Sequence, residues 1–228
     1  MDGKIEEIEI AFVGEESVGK TSIISRFEYD VFQEDLSQTY YITFSEKIVK
    51  FTNGEEIKIK NVDFTGNEKY KSNLELAIKN SKSIVLVYCL DIFHYNLKDL
   101  QKYWIDEIKK KAPKNSIIAL VLNKNDSLGK KVLFDERDGR KLAKDNDILF
   151  FSTSAKEDKG ITEIYEGIIK KIKGWENDKN IKLVVEKEEI NEEENEEGQN
   201  IVDGNDKKKD VDAKSNKKEG KRKCCPCF

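Results

Sequence analysis

The chain has 228 residues, a formal net charge of −4, and nearly equal hydrophobic (37%) and charged (38%) fractions, so one domain of ordinary size plus a further segment is the natural division. The acidic balance weighs against a general nucleic-acid binder. Nothing at Met1 resembles a secretory signal, and no apolar stretch reaches the roughly 18–20 residues needed to span a bilayer.

Residues 5–13 form a short apolar segment, read as a strand, that runs directly into a glycine-containing loop. A helix is predicted from about Gly19 to Phe27. Residues 41–51 and 55–63 flank Asn53-Gly54, a dipeptide suited to the positive φ angles of a tight hairpin. Residues 83–90, 116–122 and 148–152 are continuous apolar runs of strand length. Residues 97–111 and 134–146 between them carry helical periodicity. The last predicted helix, 161–172, places Ile161, Ile164, Tyr165, Ile168, Ile169 and Ile172 on one face. Strands alternating with helices, the inner strands apolar on both sides, imply an α/β fold of three layers with a mostly parallel sheet. Functional loops then belong at the C-terminal ends of the strands.

Composition changes after Gly174. From Glu176 onward Glu, Asp, Lys and Asn dominate and apolar runs nearly stop, which marks a solvated tail. The expected division is a folded domain at 1–175, a disordered charged tail at 176–223 and a terminal cysteine motif at 224–228. Cys89 stands alone in an apolar strand and reads as core. Cys224, Cys225 and Cys227 crowd the last five residues. A disulfide framework needs separated cysteines, so a reducing compartment fits better. Zinc binding by this cluster lacks ligands elsewhere, since the sole histidine, His94, lies far away in sequence and reads as a surface residue.

Four motifs fall at predicted strand ends. Gly14-Glu15-Glu16-Ser17-Val18-Gly19-Lys20-Thr21 fits a phosphate loop. Gly14 and Gly19 let the backbone wrap phosphate oxygens with its N–H groups inward, and the helix after Gly19, with Ser22 in its first turn, adds its positive end. Lys20 suits the β and γ phosphates and Thr21 suits Mg²⁺. Asp63-Phe64-Thr65-Gly66 supplies a carboxylate for the outer shell of that metal and a Gly66 N–H for the γ-phosphate. Asn123-Lys124-Asn125-Asp126 supplies a carboxylate that can accept from N1–H and the exocyclic amine of guanine. Adenine lacks that donor pair and would leave the Asp126 carboxylate buried and unpaired. Ser154-Ala155-Lys156 can donate a backbone N–H to the guanine oxygen, with Lys156 packed near the base.

Together these motifs make the chain resemble the Ras-like small GTPases over roughly residues 5–173. Trp104 in its helix and the terminal Cys224-Cys225 tilt the resemblance toward the Rab branch. The resemblance implies a phosphate-loop NTPase domain with a six-stranded sheet, its hairpin at one edge contributing one antiparallel edge strand, and helices on both faces. It implies GTP and GDP as ligands with Mg²⁺. It places Thr39, 18 residues after Thr21, as the first-switch threonine whose hydroxyl ligates Mg²⁺ and whose N–H holds the γ-phosphate. It places Phe32 against the guanine, and makes Lys20, Thr39 and Asn67 the catalytic set.

The chain departs from the family in three places. The glutamine that positions the attacking water is Asn67, one methylene shorter. The third phosphate-loop position, usually small so that an arginine finger can pass, is Glu16. The Rab effector surface is eroded: Val62 replaces a tryptophan, Tyr41 replaces a glycine, and the segment after the second switch reads Leu76-Ala77-Ile78-Lys79-Asn80. An ordinary GTPase of a diverged lineage and a slow hydrolyser that persists in the GTP state both fit these departures. So does, from another class, a GTP-bound membrane scaffold that hardly hydrolyses.

The chain ends in a basic stretch, Lys221-Arg222-Lys223, followed by Cys224-Cys225-Pro226-Cys227-Phe228. The last four residues fit a loose prenylation box, and Cys-Cys followed by three residues also occurs at Rab termini. Cys224 and Cys225 are the candidate lipid sites. The resemblance implies an exchange factor, a GTPase-activating protein, a prenyl transferase with its escort protein, a dissociation inhibitor and membrane effectors as partners. It implies a lipid-anchored location on the cytoplasmic face of an intracellular membrane, with a cytosolic pool.

Overall fold

The computed structural model describes residues 5–34, 36, 39, 41–64, 75, 78–89, 97–127 and 135–184. The expected tail beyond 184, with Cys224 and Cys225, lies outside the described residues, as do Gly66, Asn67 and His94.

Seven strands form one sheet. They are β1 (Glu6–Val13), β2 (Thr43–Phe51), β3 (Glu56–Asp63), β4 (Ser83–Cys89), β5 (Ile117–Asn123), β6 (Leu149–Ser152) and β7 (Leu183–Val184), in the spatial order β6-β5-β4-β1-β3-β2-β7. The five strands from β6 to β3 pair in parallel. β2 joins β3 antiparallel through the Asn53-Gly54 turn, where Gly54 N–H donates to Phe51 O at 2.8 Å.

Helix α1 (Lys20–Tyr29) follows β1. Helix α2 runs from Leu97 to Lys111 in three parts, an α-helical turn at Leu97–Asp99, a π-wound stretch at Leu100–Ile105 and an α-helical end at Asp106–Lys111. Helix α3 (Glu136–Asp145) opens on a capping box in which Asp135 and Asp138 satisfy each other's backbone N–H groups. Helix α4 is Ile161–Lys173.

The period-two alternation of the strands sends their side chains into two separate cores. On one face Ile8, Ile10 and Phe12 of β1, with Val85, Val87 and Cys89 of β4, pack under α1 and α4. On the other, Ala11 and Val13, with Ile84, Leu86 and Tyr88, pack under α2 and α3. Helices therefore cover both faces, and β4 is buried along its whole length, as its unbroken apolar run implies. Cys89 is buried in the first core.

The sheet differs from expectation at one edge. It has seven strands rather than six, and β2, the one strand that runs against the others, is flanked by β3 and β7 instead of forming the edge. β7 pairs with β2 through Lys50↔Val184 and Phe51↔Leu183. The packed chain accordingly runs past 175. Trp175 lies edge-on to Phe51 at 5.5 Å, Leu183 is buried, and its N–H donates to Glu166 Oε2 at 3.1 Å. A two-residue strand inside a charged stretch leaves no periodic signal. It is held by tertiary contacts and by the unpaired edge of β2, which any extended segment can satisfy. Among the described residues no helix is long and apolar enough to cross a membrane.

Candidate functional site

The site lies at the C-terminal ends of β1, β3, β5 and β6. After Val13 the chain turns through residues 14–19 before α1 begins. Gly14 has φ 139°, and a Cβ there would sit 2.2 Å from the Val87 carbonyl oxygen. Gly19 has φ 94°, and a Cβ would sit 2.3 Å from Asn123 Nδ2. Only glycine fits either position. Ser17 also adopts a positive φ of 61°. Helix α1 carries no acidic residue in its first turn, so its N-terminal N–H groups present an uncancelled positive end.

Lys20 is 5% exposed, and its Nζ donates to Gly14 O at 3.0 Å and Glu15 O at 2.7 Å. The side chain thus arches back over the loop. Burial lowers its pKa to about 8, against the opposing pull of Asp63, Glu15 and Glu16. Burial likewise raises the Asp63 carboxyl, opposed by the Thr21 hydroxyl and by Lys20. Both groups are pushed toward neutrality by desolvation, a state that a bound polyphosphate and cation would reverse.

The hydroxyls of Thr21 and Thr39 lie 3.0 Å apart, and Thr21 Oγ1 donates to Asp63 Oδ2 at 2.5 Å. Asp63 Oδ1 is buried and has no hydrogen-bond partner among the described residues. Two converging hydroxyls backed by a carboxylate with a spare oxygen suit a hard, oxygen-seeking cation such as Mg²⁺. Among the described residues no three Asp, Glu, His or Cys side chains gather to hold a metal. A cation here would therefore draw its remaining ligands from phosphate oxygens and water.

Asn123 ties the base-side loops to the phosphate loop. Its Nδ2 donates to Val18 O at 3.0 Å, and its Oδ1 accepts from Thr153 Oγ1 at 3.1 Å and Ala155 N at 3.3 Å. Ser154 Oγ donates to Asp126 Oδ1 at 2.5 Å and accepts from Glu157 N at 3.0 Å. This fixes the Asp126 carboxylate beside Ala155 and Lys156. Lys124 enters with φ 62°.

These groups line one groove of about 370 Å³. Glu16, Ser17, Gly19, Lys20, Thr21, Ser22 and Thr39 stand along it with Phe32, Asn123, Lys124, Asp126, Ala155 and Lys156. Gly14, Glu15, Val18, Asp63 and Ser154 do not line it, but each is hydrogen-bonded to a residue that does. The contacts of several further residues were not legible in the sequence. Gln33, Glu34 and Leu36 also line the groove, and Glu34 forms an ion pair with Lys156 at 2.5 Å. Arg26 Nε donates to Ala155 O at 3.0 Å, and Trp104 Nε1 donates to Glu15 Oε1 at 2.9 Å. None of these belongs to a motif, because each acts through a contact between distant segments. The departures fall unevenly. Glu16 lines the groove, Val62 is buried and Tyr41 is 77% exposed.

Comparison with known proteins agrees with this geometry. The sequence model of the Ras family matches residues 9–174. The GTP-binding protein ypt5 of Schizosaccharomyces pombe is 29% identical over 163 residues, which span 72% of this chain and 76% of that protein.

Proposed function

The chain belongs to the Ras family, and on that premise we propose that it is a Rab-like guanine-nucleotide switch of membrane traffic that binds GTP and GDP with Mg²⁺ and hydrolyses GTP slowly. The observation that carries the reading is the joining of two chemistries in one groove. Lys20, Thr21 and Thr39 stand ready for phosphate and metal, while Asp126, Ala155 and Lys156 stand ready for a base. The name of the ypt5 relative, a GTP-binding protein, supports the same ligand.

Each side chain has a task in this reading. Asp126, held by Ser154, accepts from the two guanine donors. The Ala155 N–H reaches the guanine oxygen, while Phe32 and Lys156 flank the ring. The loop N–H groups and Lys20 bind the β and γ phosphates. Thr21 and Thr39 ligate Mg²⁺, with Asp63 behind them. The metal, when bound, neutralises charge on the phosphate oxygens. Hydrolysis adds water to the γ-phosphorus and breaks its bond to the bridging oxygen, giving GDP and phosphate. Thr39 and Gly66 sense the γ-phosphate, so its loss releases both switch segments.

The charged tail serves as a tether, with lipid on Cys224 and Cys225. Two chains, or one chain with the Lys221–Lys223 patch, anchor stably where a single chain is marginal. The cytoplasmic face of an intracellular membrane, with a cytosolic pool, is the proposed location. Exchange factor, activating protein, prenyl transferase with escort protein, dissociation inhibitor and effectors are the proposed partners.

A second reading is a GTP-bound membrane scaffold with little or no hydrolysis. The position of Glu16 on the groove favours it. Two measurements decide. Competition of GTP and ATP against a fluorescent GDP analogue tests the ligand, and equal affinity for both defeats the guanine assignment. Single-turnover GTP hydrolysis, with and without an activating protein, separates a slow switch from a scaffold.

A further inference from the structure

The phosphate loop carries two adjacent glutamates that go to different places. Glu16 lines the groove, whereas Glu15 does not. The half-buried Glu15 carboxylate instead accepts a hydrogen bond at 2.9 Å from the indole N–H of Trp104, 89 residues away in sequence.

Trp104 reaches Glu15 from the π-wound stretch of α2. There the Asp106 N–H closes on the Gln101 carbonyl, five residues back. Such winding inserts a residue into the turn and rotates side chains out of α-helical register. It costs backbone stability and recurs at functional sites. The stretch is anchored on both sides of Trp104. Leu100 and Ile105 are buried. Gln101 exchanges amide hydrogen bonds with Asn146 at the end of α3, at 2.5 and 3.0 Å, and Lys109 Nζ donates to the Asn146 carbonyl at 2.6 Å. The indole is therefore presented from a braced base.

We infer that Trp104 is a positioning residue of the phosphate loop, whose N–H holds the Glu15 carboxylate out of the nucleotide groove. The inference rests on the nucleotide reading above. A polyphosphate entering the groove already meets one carboxylate, Glu16. A second, free to swing in from the neighbouring residue, would repel it in a region of low dielectric. The tether also keeps Glu15 from pairing with the Lys20 ammonium, which stays bonded to the carbonyls of Gly14 and Glu15.

The test measures release of a fluorescent GDP analogue from the full chain in the presence of Mg²⁺. Trp104→Phe keeps a ring and removes the N–H. It is expected to release nucleotide roughly tenfold faster, the scale of one hydrogen bond to a charged group. Adding Glu15→Gln to Trp104→Phe removes the freed charge and is expected to restore release to within about twofold of wild type, a coupling that a double-mutant cycle isolates. Added salt is expected to slow release from Trp104→Phe, because screening weakens the repulsion. If Trp104→Phe does not fold, 3-benzothienylalanine at position 104 keeps both rings and drops the N–H. Wild-type release from either variant overturns the inference. So does fast release that Glu15→Gln fails to correct, which assigns Trp104 to packing alone. A wild-type chain that does not bind the GDP analogue removes the nucleotide reading, and this inference with it.

Discussion

The Thr21 hydroxyl donates to Asp63 Oδ2 across 2.5 Å, joining the first turn of α1 to the last residue of β3. The two residues are 42 positions apart, yet parallel pairing of β1 with β3 brings their strand ends to one edge of the sheet. Thr39 completes the cluster from a third segment. The metal reading follows from this convergence. Asp63→Asn is expected to weaken Mg²⁺ roughly 10–100-fold, as loss of an outer-shell carboxylate generally does. Thr21→Asn is expected to lower affinity for GTP more than for GDP. Titrating Mg²⁺ against nucleotide release checks both, and release indifferent to chelation would remove the metal from the site.

In the proposed function, base selectivity rests on Asp126. Asp126→Asn keeps an oxygen for the Ser154 hydroxyl, so the loop retains its internal bond. The amide cannot accept from both guanine donors, but it can pair with the keto group that replaces the exocyclic amine in xanthine. GTP and GDP are expected to weaken about 10–100-fold, the cost of an unmade buried hydrogen bond, while xanthine nucleotides improve. Competition binding with both nucleotide sets measures the exchange.

Most of the fold was legible because the strands β4, β5 and β6 fall in continuous apolar runs and α4 carries a clean 3.6-residue stripe. The motifs were legible because each is a contiguous segment at a strand end. What escaped is long-range. The Glu34–Lys156 pair, the Arg26 bond to Ala155 and the Trp104 bond to Glu15 join segments that no local pattern connects. Trp104 read only as a mark of the Rab branch, with no indication of what its N–H touches. β7 escaped because two residues of strand in a charged stretch carry no period, and their pairing depends on the open edge of β2.

That edge gives a stability prediction. A chain ending at residue 188, the last residue of the compact unit, is expected to unfold at the same denaturant midpoint as the full chain. A chain ending at 174 loses the Trp175–Phe51 contact and the burial of Leu183. Burying one such side chain is worth about 1.5–3 kcal/mol, so a loss of roughly 2–5 kcal/mol is expected. Equal midpoints for the two truncations would show that β7 contributes nothing to the domain.

Gly139 is buried inside α3, against β4 and β6. A Cβ there would lie 2.0 Å from Tyr88 Oη and 2.9 Å from Phe150 Cε2. Alanine is the better helix former by about 1 kcal/mol. Forcing two aromatic rings to shift costs about 1–3 kcal/mol. Gly139→Ala is therefore expected to destabilise the chain by up to about 2 kcal/mol in chemical denaturation, against helix propensity. A stabilised variant would mean that the rings move freely.

Two of the departures bear on the rate of hydrolysis. In the proposed function Asn67, one methylene shorter than the glutamine of the family, would have to come closer to offer its amide to the attacking water. Misplacement by about 1 Å can cost about 100-fold in rate. Glu16 lines the groove, so in that reading it would add negative charge beside the phosphates and bulk where an arginine finger would enter. Both changes act on charge and positioning in the transition state, where phosphoryl transfer gains most of its rate. Slow intrinsic turnover and a weak response to an activating protein are expected. Asn67→Gln alone should recover part of the rate, and combining it with Glu16→Gly should recover more than either change alone. Single-turnover kinetics of the four proteins reads the outcome. A wild-type rate matching an ordinary Rab leaves a conventional switch in a diverged lineage. A slow rate unmoved by the double replacement turns attention to Phe64, packed into the core at the end of β3, and to the exposed Tyr41.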